Sequence, residues 1–145
     1  MKDYNALFFT CSLIEFIGRE RKLRRNEVVD QLGEKTLRRI LSHADVLHCE
    51  PIAKVADEFV TRSLIATGDF DNVAACRYRV PDYWEIGAVY ARLIEDSEEV
   101  DAVKALTAVY HSSLSAAISR FNSDLYYQPR QYLSACLQAD TILTA

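Results

Sequence analysis

The stretch YNALFFTCSLIEFIG, residues 4–18, has the pattern of a helix that is buried on more than one side. Its apolar residues recur every three or four positions, which places them on one face of an α-helix; they are Tyr4, Leu7, Phe8, Cys11, Ile14 and Ile17. Three further apolar residues, Phe9, Leu13 and Phe16, widen this face beyond a single stripe. We therefore predict that this helix lies centrally in a hydrophobic core.

The composition extends this prediction to the whole chain. The 145 residues include only 4 Gly and 3 Pro, too few for the many tight turns of an all-β domain. A chain of this length suits one domain with its own core. We predict an all-α fold, a single-domain orthogonal or irregular helical bundle of about six to seven helices, with the loop TGDFDN (67–72) as a sub-boundary.

Capping residues and helix breakers divide the first half of the chain. Asn26 is the expected N-cap of a short second helix, EVVDQL, which Gly33 ends. A third helix is predicted over residues 34–47, where aliphatic side chains again keep helical spacing. Pro51 then precedes a fourth helix, whose apolar residues continue to Leu64.

The second half is predicted to contain four helices. The first is a short helix at VAACRYR (73–79), and the next begins after Pro81 with acidic residues in its first turn, where the helix dipole favours them. One apolar stripe then runs from Val103 to Leu125 and predicts a single helix of about six turns, the longest of the chain. Pro129 precedes the last helix.

The cysteines and the hydropathy pattern indicate a cytoplasmic protein. Cys11, Cys49, Cys76 and Cys136 form no C-x-x-C pair, so we expect free thiols in a reducing compartment. The longest uncharged run, residues 105–119, is shorter than the ~20 apolar residues that span a bilayer. The N-terminal stretch lacks the pattern of a signal peptide. We predict no membrane segment and a cytoplasmic location.

A basic segment, residues 19–39, is a candidate surface for nucleic acid or for an acidic partner. It holds eight of the 17 cationic side chains and only four acids. Such a patch supplies non-specific affinity for phosphates. The residues expected to contribute are Arg21, Arg24, Arg25, Arg38 and Arg39.

A DNA-reading helix-turn-helix fits this segment poorly. In that motif the residue after the turn glycine and one about five further on are apolar, because they pack the recognition helix onto its partner. Here these residues are Glu34 and Arg39. We therefore favour a solvated or partner-facing basic surface and keep nucleic-acid binding as the alternative.

An acidic run, EDSEEVD (95–101), lies between two predicted helices. The simplest interpretation is a solvated turn whose acids cap the flanking helices. The alternative is that this run meets the basic segment of another molecule or of the same chain, since complementary charges select partners.

The stretch SHADVLHCEPI (42–52) is the one place where His, Asp, Cys and Glu are concentrated. His43 and His48 are five residues apart, which does not place two ligands on one helical face. Cys49 directly follows His48, and adjacent side chains point away from each other. We expect a structural role in which Asp45 and His48 hydrogen-bond the turn, and we predict no catalytic, metal-binding or cofactor-binding residues.

Seven of the eight tyrosines and the single tryptophan lie after residue 77. Tyr and Trp combine an apolar body with a polar tip and are favoured in grooves and interfaces, although core packing is their commoner role. We predict a groove or a dimer contact near FNSDLYYQPRQY (121–132), formed by Tyr126, Tyr127 and Tyr132 together with Trp84.

The first 65 residues also resemble the short bacterial helical proteins grouped as domain-of-unknown-function family 3791. The resemblance covers about residues 5–65 and rests on an apolar helix with a Cys and an acid, an EV…L helix and a helix closing on VLH. The matching residues are Cys11, Glu15, Glu27, Val28, Leu32, Val46, Leu47 and His48. The resemblance implies a small helical domain of unassigned activity, with no catalytic residues, to which residues 70–145 are an extension.

Two functions follow as hypotheses. The favoured one is a non-enzymatic protein-protein interaction or regulatory module that binds a protein partner or associates with itself. The alternative is a nucleic-acid-binding regulator that uses the basic segment. The sequence contains no Gly-rich phosphate loop, metal-ligand spacing or nucleophile motif, so we expect neither an enzyme nor a cofactor.

Overall fold

The computed structural model describes residues 2–143, which fold into a helical bundle without strands. In chain order the helices are α1 (Tyr4–Arg21), α2 (Arg25–Ser42), α3 (Ala44–Leu47), α4 (Ile52–Ser63), α5 (Tyr83–Asp96), α6 (Ala102–Tyr110), α7 (Ser113–Ile118) and α8 (Arg130–Ala139). A single 3₁₀ turn (Leu125–Tyr127) precedes α8, and α3 is only one turn long. The predicted all-α, single-domain bundle is confirmed.

Helix α1 lies at the centre of the bundle. It packs most extensively against α5 and also contacts α2, α3 and α4. Leu7, Leu13, Ile14 and Ile17 are fully buried on it, as the wide apolar face predicted. Gly87 allows α5 to approach closely, because a Cβ at that position overlaps Ser12 of α1.

The start of α2 differs from the prediction. Asn26 is not its N-cap, because Arg24 already occupies that position and its backbone N–H donates to the Glu27 carboxylate at 3.0 Å. Gly33 does interrupt the helix: its φ of +82° is non-helical and divides α2 into two segments. Glycine suits this conformation because it has no Cβ to clash in the left-handed region.

The prediction of one long helix over the second half is wrong. That stretch contains α6, α7 and the 3₁₀ turn instead. The break lies at Ser112, whose hydroxyl accepts a hydrogen bond from the Ser115 backbone N–H and caps a new helix. A serine hydroxyl can replace a backbone carbonyl as the acceptor of a backbone N–H and so begin a new helix. The apolar spacing continues across the break because α6 and α7 each bury an apolar face.

The stretch 73–79 is also not helical. Two of its backbone groups form hydrogen bonds with a side chain from another part of the chain: the Asn122 amide accepts from the Arg77 N–H and donates to the Ala75 carbonyl. By contrast, α5 begins as predicted, with Asp82 as N-cap and Glu85 completing a capping box.

The loop at 67–72 is held against the end of α1. The Gly68 and Phe70 backbone N–H groups donate to the carbonyls of Arg21 and Lys22 at 2.8 and 2.9 Å. The core includes residues from both sides of this loop, and the sub-boundary stays a prediction. Within residues 2–143, no helix combines the length and the apolar character required to cross a membrane.

Candidate interaction groove

The predicted aromatic surface forms a groove of about 550 Å³ between α5 and the segment that leads into α8. Trp84 lies on one side of it, and Tyr126 and Tyr127 lie on the other. Three of the four residues predicted for this surface therefore meet in one place. We call this feature the aromatic groove; its lining is completed by Phe8, Asp82, Glu85, Ala88, Val89, Arg92, Leu93, Gln128, Arg130 and Leu133.

Helix α5 supplies one side of the aromatic groove. Trp84, Ala88 and Arg92 are spaced by four residues and therefore follow one another along the helix surface. The Trp84 ring is 37% exposed and packs against Phe8 with ring centroids 5.4 Å apart. The small Ala88 leaves open space between the indole and the Arg92 guanidinium.

The 3₁₀ turn supplies the opposite side. Tyr126 and Tyr127 contact each other edge to face, with ring centroids 5.0 Å apart. Tyr126 also packs against the buried Phe121. Tyr127 is 66% exposed, so most of its surface faces solvent. Tyr126 therefore anchors the turn to the core, whereas Tyr127 faces solvent.

Most charges that line the aromatic groove already have partners. Arg130 donates to the carboxylates of Glu95 and Asp96 at 2.6–2.8 Å. Arg79 binds Glu85 through two hydrogen bonds, which lower the pKa of that carboxyl. Arg92 differs, because its side chain forms no ion pair within residues 2–143.

Tyr132 does not belong to this groove. It lies on α8, and its hydroxyl donates to the Leu143 carbonyl at 2.6 Å. The sequence placed it with Tyr126 and Tyr127 because they are close along the chain, but Pro129 and the start of α8 separate them. The prediction that Tyr132 shares their surface is therefore wrong.

A second cavity of about 590 Å³ adjoins the aromatic groove. Phe8 and Trp84 line both, so these two rings form the ridge between them. Asp45 and His48 lie on the far side of this ridge. The aromatic surface is therefore open on both sides of Trp84.

The basic segment does not form one free cationic face. Arg21 donates to the carbonyls of Ile65 and Ala66, which holds the loop after α4. Arg38 pairs with Glu34 and with Asp101 of the acidic run. The acidic run therefore meets the basic segment within the same chain, one of the alternatives that the sequence left open.

The remaining predicted arginines differ in their exposure. Arg24 is exposed and its guanidinium stacks over the Phe70 ring at 4.6 Å. Arg39 is exposed on α2. Arg25 is only 1% exposed, so its predicted place on a binding surface is wrong. The physical reason is a buried acid on α1 that the guanidinium binds.

That acid is Glu15, which forms a buried ion pair with Arg25. The guanidinium Nε–H and Nη2–H donate to the two carboxylate oxygens, each at 2.9 Å. Arg19 donates to the same carboxylate at 2.8 Å. Gly18 provides the space, because a Cβ there overlaps the Arg25 side chain. Asn72 accepts a further hydrogen bond from Arg25 at 3.1 Å.

The Glu15–Arg25 ion pair was not predicted, although the sequence contains one indication of it. Glu15 follows Cys11 by four residues on the buried face of α1, and a buried carboxylate requires a cationic or hydrogen-bonding partner. Burial raises the pKa of Glu15, but the charges and hydrogen bonds of Arg25 and Arg19 outweigh it, so the pKa is lowered. Glu15 is therefore ionised in the folded protein at neutral pH.

Further buried polar groups surround the pair. Tyr90 and Tyr110 stack with ring centroids 4.2 Å apart, and the Tyr90 hydroxyl lies 2.7 Å from Ser115 Oγ. Burial raises the pKa of the Cys11 thiol to about 12, so the thiol stays protonated. Because these side chains are buried, the cluster joins helices rather than facing a ligand.

The residues of the 42–52 stretch make local contacts. His43 and His48 each place Nδ1 within 3.0 Å of a carbonyl four residues earlier, those of Arg39 and Ala44. Cys49 is exposed, and its thiol donates to the Asp45 carbonyl. Across the described part of the chain, no three His, Cys, Asp or Glu side chains are grouped to hold a metal ion.

Comparison of the chain with protein-family models, with curated proteins and with solved structures found no match.

Proposed function

We propose that this protein is a non-enzymatic interaction module whose aromatic groove binds a segment of a protein partner. The observation that carries the proposal is Arg92, whose guanidinium forms no ion pair within residues 2–143 and which lines the same groove as the exposed rings of Trp84 and Tyr127. The expected occupant has an apolar side chain that covers the rings and at least one carboxylate that binds Arg92.

The chemistry of the lining supports this occupant. Trp, Tyr and Arg are the side chains that most often dominate binding energy at protein interfaces. An arginine near aromatic rings binds a carboxylate through two parallel hydrogen bonds while its apolar stem packs on the rings. Arg130 and Glu85 already have partners of opposite charge and Asp82 caps α5, so Arg92 is the lining cation that remains available to a carboxylate.

We place this module in the cytoplasm. All four cysteines lie in the described part of the chain and all four are free thiols, as is usual for proteins in a reducing compartment. A regulatory role suits a module that recognises a segment and performs no reaction on it. Nucleic-acid binding through the basic segment is the alternative function, with Arg24 and Arg39 among its exposed cations.

Trp84 provides the test, because it is the only tryptophan in the chain and it lines the aromatic groove. We would titrate the purified protein with two short synthetic peptides that share a central Leu-Phe pair, one flanked by Glu and the other by Lys. The acidic peptide is expected to shift the Trp84 emission in a saturable way, and the basic peptide is not. A duplex DNA titration at low and moderate salt tests the alternative on the same sample.

Two charge reversals separate the hypotheses. Arg92→Glu is expected to abolish the response to the acidic peptide, while Arg39→Glu, an equal change of charge at an exposed site on α2, leaves it intact. If neither peptide shifts the emission and salt-sensitive DNA binding is lost in Arg39→Glu, the basic segment is the functional surface and our proposal is wrong.

A further inference from the structure

The linker between α5 and α6 has the chemistry that the aromatic groove is proposed to accept. We call residues 97–101, with the sequence SEEVD, the acidic linker. Val100 is 88% exposed, although it is an aliphatic side chain. Glu98 and Glu99 precede it, and both are exposed. The acidic linker thus presents an apolar side chain next to two carboxylates.

These carboxylates are free, whereas their neighbours are not. Glu95 and Asp96 bind Arg130, and Asp101 binds Arg38 and caps α6. Glu98 and Glu99 form no ion pair within residues 2–143. The intramolecular pairs therefore hold the two ends of the acidic linker and leave its centre available.

The acidic linker does not reach the Trp84 end of the aromatic groove in its own chain. Trp84 lies twelve residues before Asp96, the last residue of α5, and this spacing separates them by about 18 Å along the helix. Asp101 is meanwhile held at the start of α6 by Arg38. Any acidic linker that reaches Trp84 must come from another molecule.

We propose that the occupant of the aromatic groove is the acidic linker of a second copy of this chain. This inference rests on the proposed function of the groove and names its partner. Val100 of one copy covers the exposed faces of Trp84 and Tyr127 of the other. Glu98 and Glu99 bind the Arg92 guanidinium, which forms no ion pair within residues 2–143 of its own chain.

The position of both surfaces on α5 favours a closed dimer. Arg92 lies four residues before the end of α5, about 6 Å along the helix, and the acidic linker begins directly after that end. In a two-fold dimer the same two patches meet twice, each patch contacting the other on the partner.

The test is the mass of the full-length chain, measured by sedimentation velocity over a wide range of concentration at low and high salt. We expect a dimer that weakens with salt, because exposed ion pairs are screened. Arg92→Glu, and separately Glu98→Lys with Glu99→Lys, are each expected to weaken the dimer about tenfold or more, since both place like charges together. Asp57→Lys, at an exposed acid on α4, is the control that leaves the dimer unchanged.

Mixing the two weakened variants gives the decisive result. In the mixed dimer the Glu at position 92 of one copy meets the Lys residues of the other, and Arg92 of that other copy meets Glu98 and Glu99. Both junctions are then of opposite charge, so an equimolar mixture is expected to recover the dimer that neither variant forms alone. Recovery in the mixture is specific to this pairing, because a misfolded variant cannot be rescued by a complementary charge.

Two outcomes overturn the inference. One is a chain that stays monomeric at every concentration, and the other is a dimer that is indifferent to both charge reversals. If the monomeric chain still binds the acidic Leu-Phe peptide through Trp84 and Arg92, the proposed function stands and only the identity of the partner is wrong. If that peptide also fails to bind, both proposals fail together.

Discussion

Replacing Glu15 by Gln is expected to destabilise the fold by about 3–5 kcal/mol, the range for removing one partner of a buried ion pair. The substitution keeps the size of the side chain, removes its charge and replaces one of the two acceptor oxygens with an NH2 donor. Glu15 is 2% exposed and accepts three hydrogen bonds from the Arg25 and Arg19 guanidinium groups. Without the carboxylate, Arg25 is a buried charge with only neutral acceptors, the Leu23 carbonyl and Asn72.

The measurement is urea unfolding followed by circular dichroism, with the thermal midpoint as a second readout. A loss of 3–5 kcal/mol corresponds to a lower Tm by on the order of 10 °C for a chain of this length. Glu20→Gln is the matched control, because Glu20 is exposed on the same helix, and surface substitutions of this kind stay within about 0.5 kcal/mol.

The same pair gives the protein a predictable response to acid. Because the pKa of Glu15 is lowered in the folded state, its contribution to stability is complete above the unfolded pKa of about 4.3 and is lost as the pH falls below it. The stability difference between the wild type and Glu15→Gln is therefore expected to be largest at neutral pH and to shrink below about pH 4. The Glu20→Gln difference stays small throughout.

A second comparison tests the physical reason. Replacing both partners, Glu15→Leu with Arg25→Met, removes both buried charges and is expected to cost less than either single change alone. A loss below about 1 kcal/mol for Glu15→Gln, or a double variant that loses the sum of the two single changes, contradicts the argument that a buried unpaired charge dominates.

Three further outcomes are expected from single sites. Gly18→Ala places a Cβ against the Arg25 side chain and should lower the free energy of unfolding by about 1–3 kcal/mol in urea melts, as overpacking does. Ser112→Ala removes the N-cap of α7 and should lower the free energy of unfolding by about 1 kcal/mol in the same assay. Cys11, whose pKa burial raises to about 12, should not react with a thiol reagent at pH 8 until the chain unfolds, whereas the exposed Cys49 should react in the native protein; equal rates contradict the placement of Cys11 in the core.

Local rules in the sequence predicted much of the fold. The apolar spacing of residues 4–18 identified α1 as a buried helix, since three- and four-residue spacing places those side chains on one face. Asp82 and Glu85 indicated the start of α5 for an equally local reason, because they bond backbone N–H groups within one turn. The prediction of a single helix over 103–125 was wrong, because the chain starts a new helix at the Ser112 cap without interrupting the apolar spacing.

The candidate site could be predicted only in part. Tyr126, Tyr127 and Trp84 were predicted to share a surface because of their residue types, and all three line the aromatic groove. Nothing in the sequence around Arg92 predicted its place in the groove. Arg92 is of interest because its side chain forms no ion pair within residues 2–143, and this is visible only in the folded structure. Arg25 was placed on the wrong surface because its partner lies on a different helix.

The helical class, the central helix and the helix starts after Pro51, Pro81 and Pro129 could be predicted from the sequence, because periodicity and capping act over one or two turns. The same spacing placed Cys11 on the apolar face of α1, where it is fully buried. The tertiary structure was needed to show which charged side chains form ion pairs and which do not. Ion pairing depends on distances between side chains from different helices, such as Glu15 with Arg25 and Arg38 with Asp101, and those distances exist only after the helices have packed.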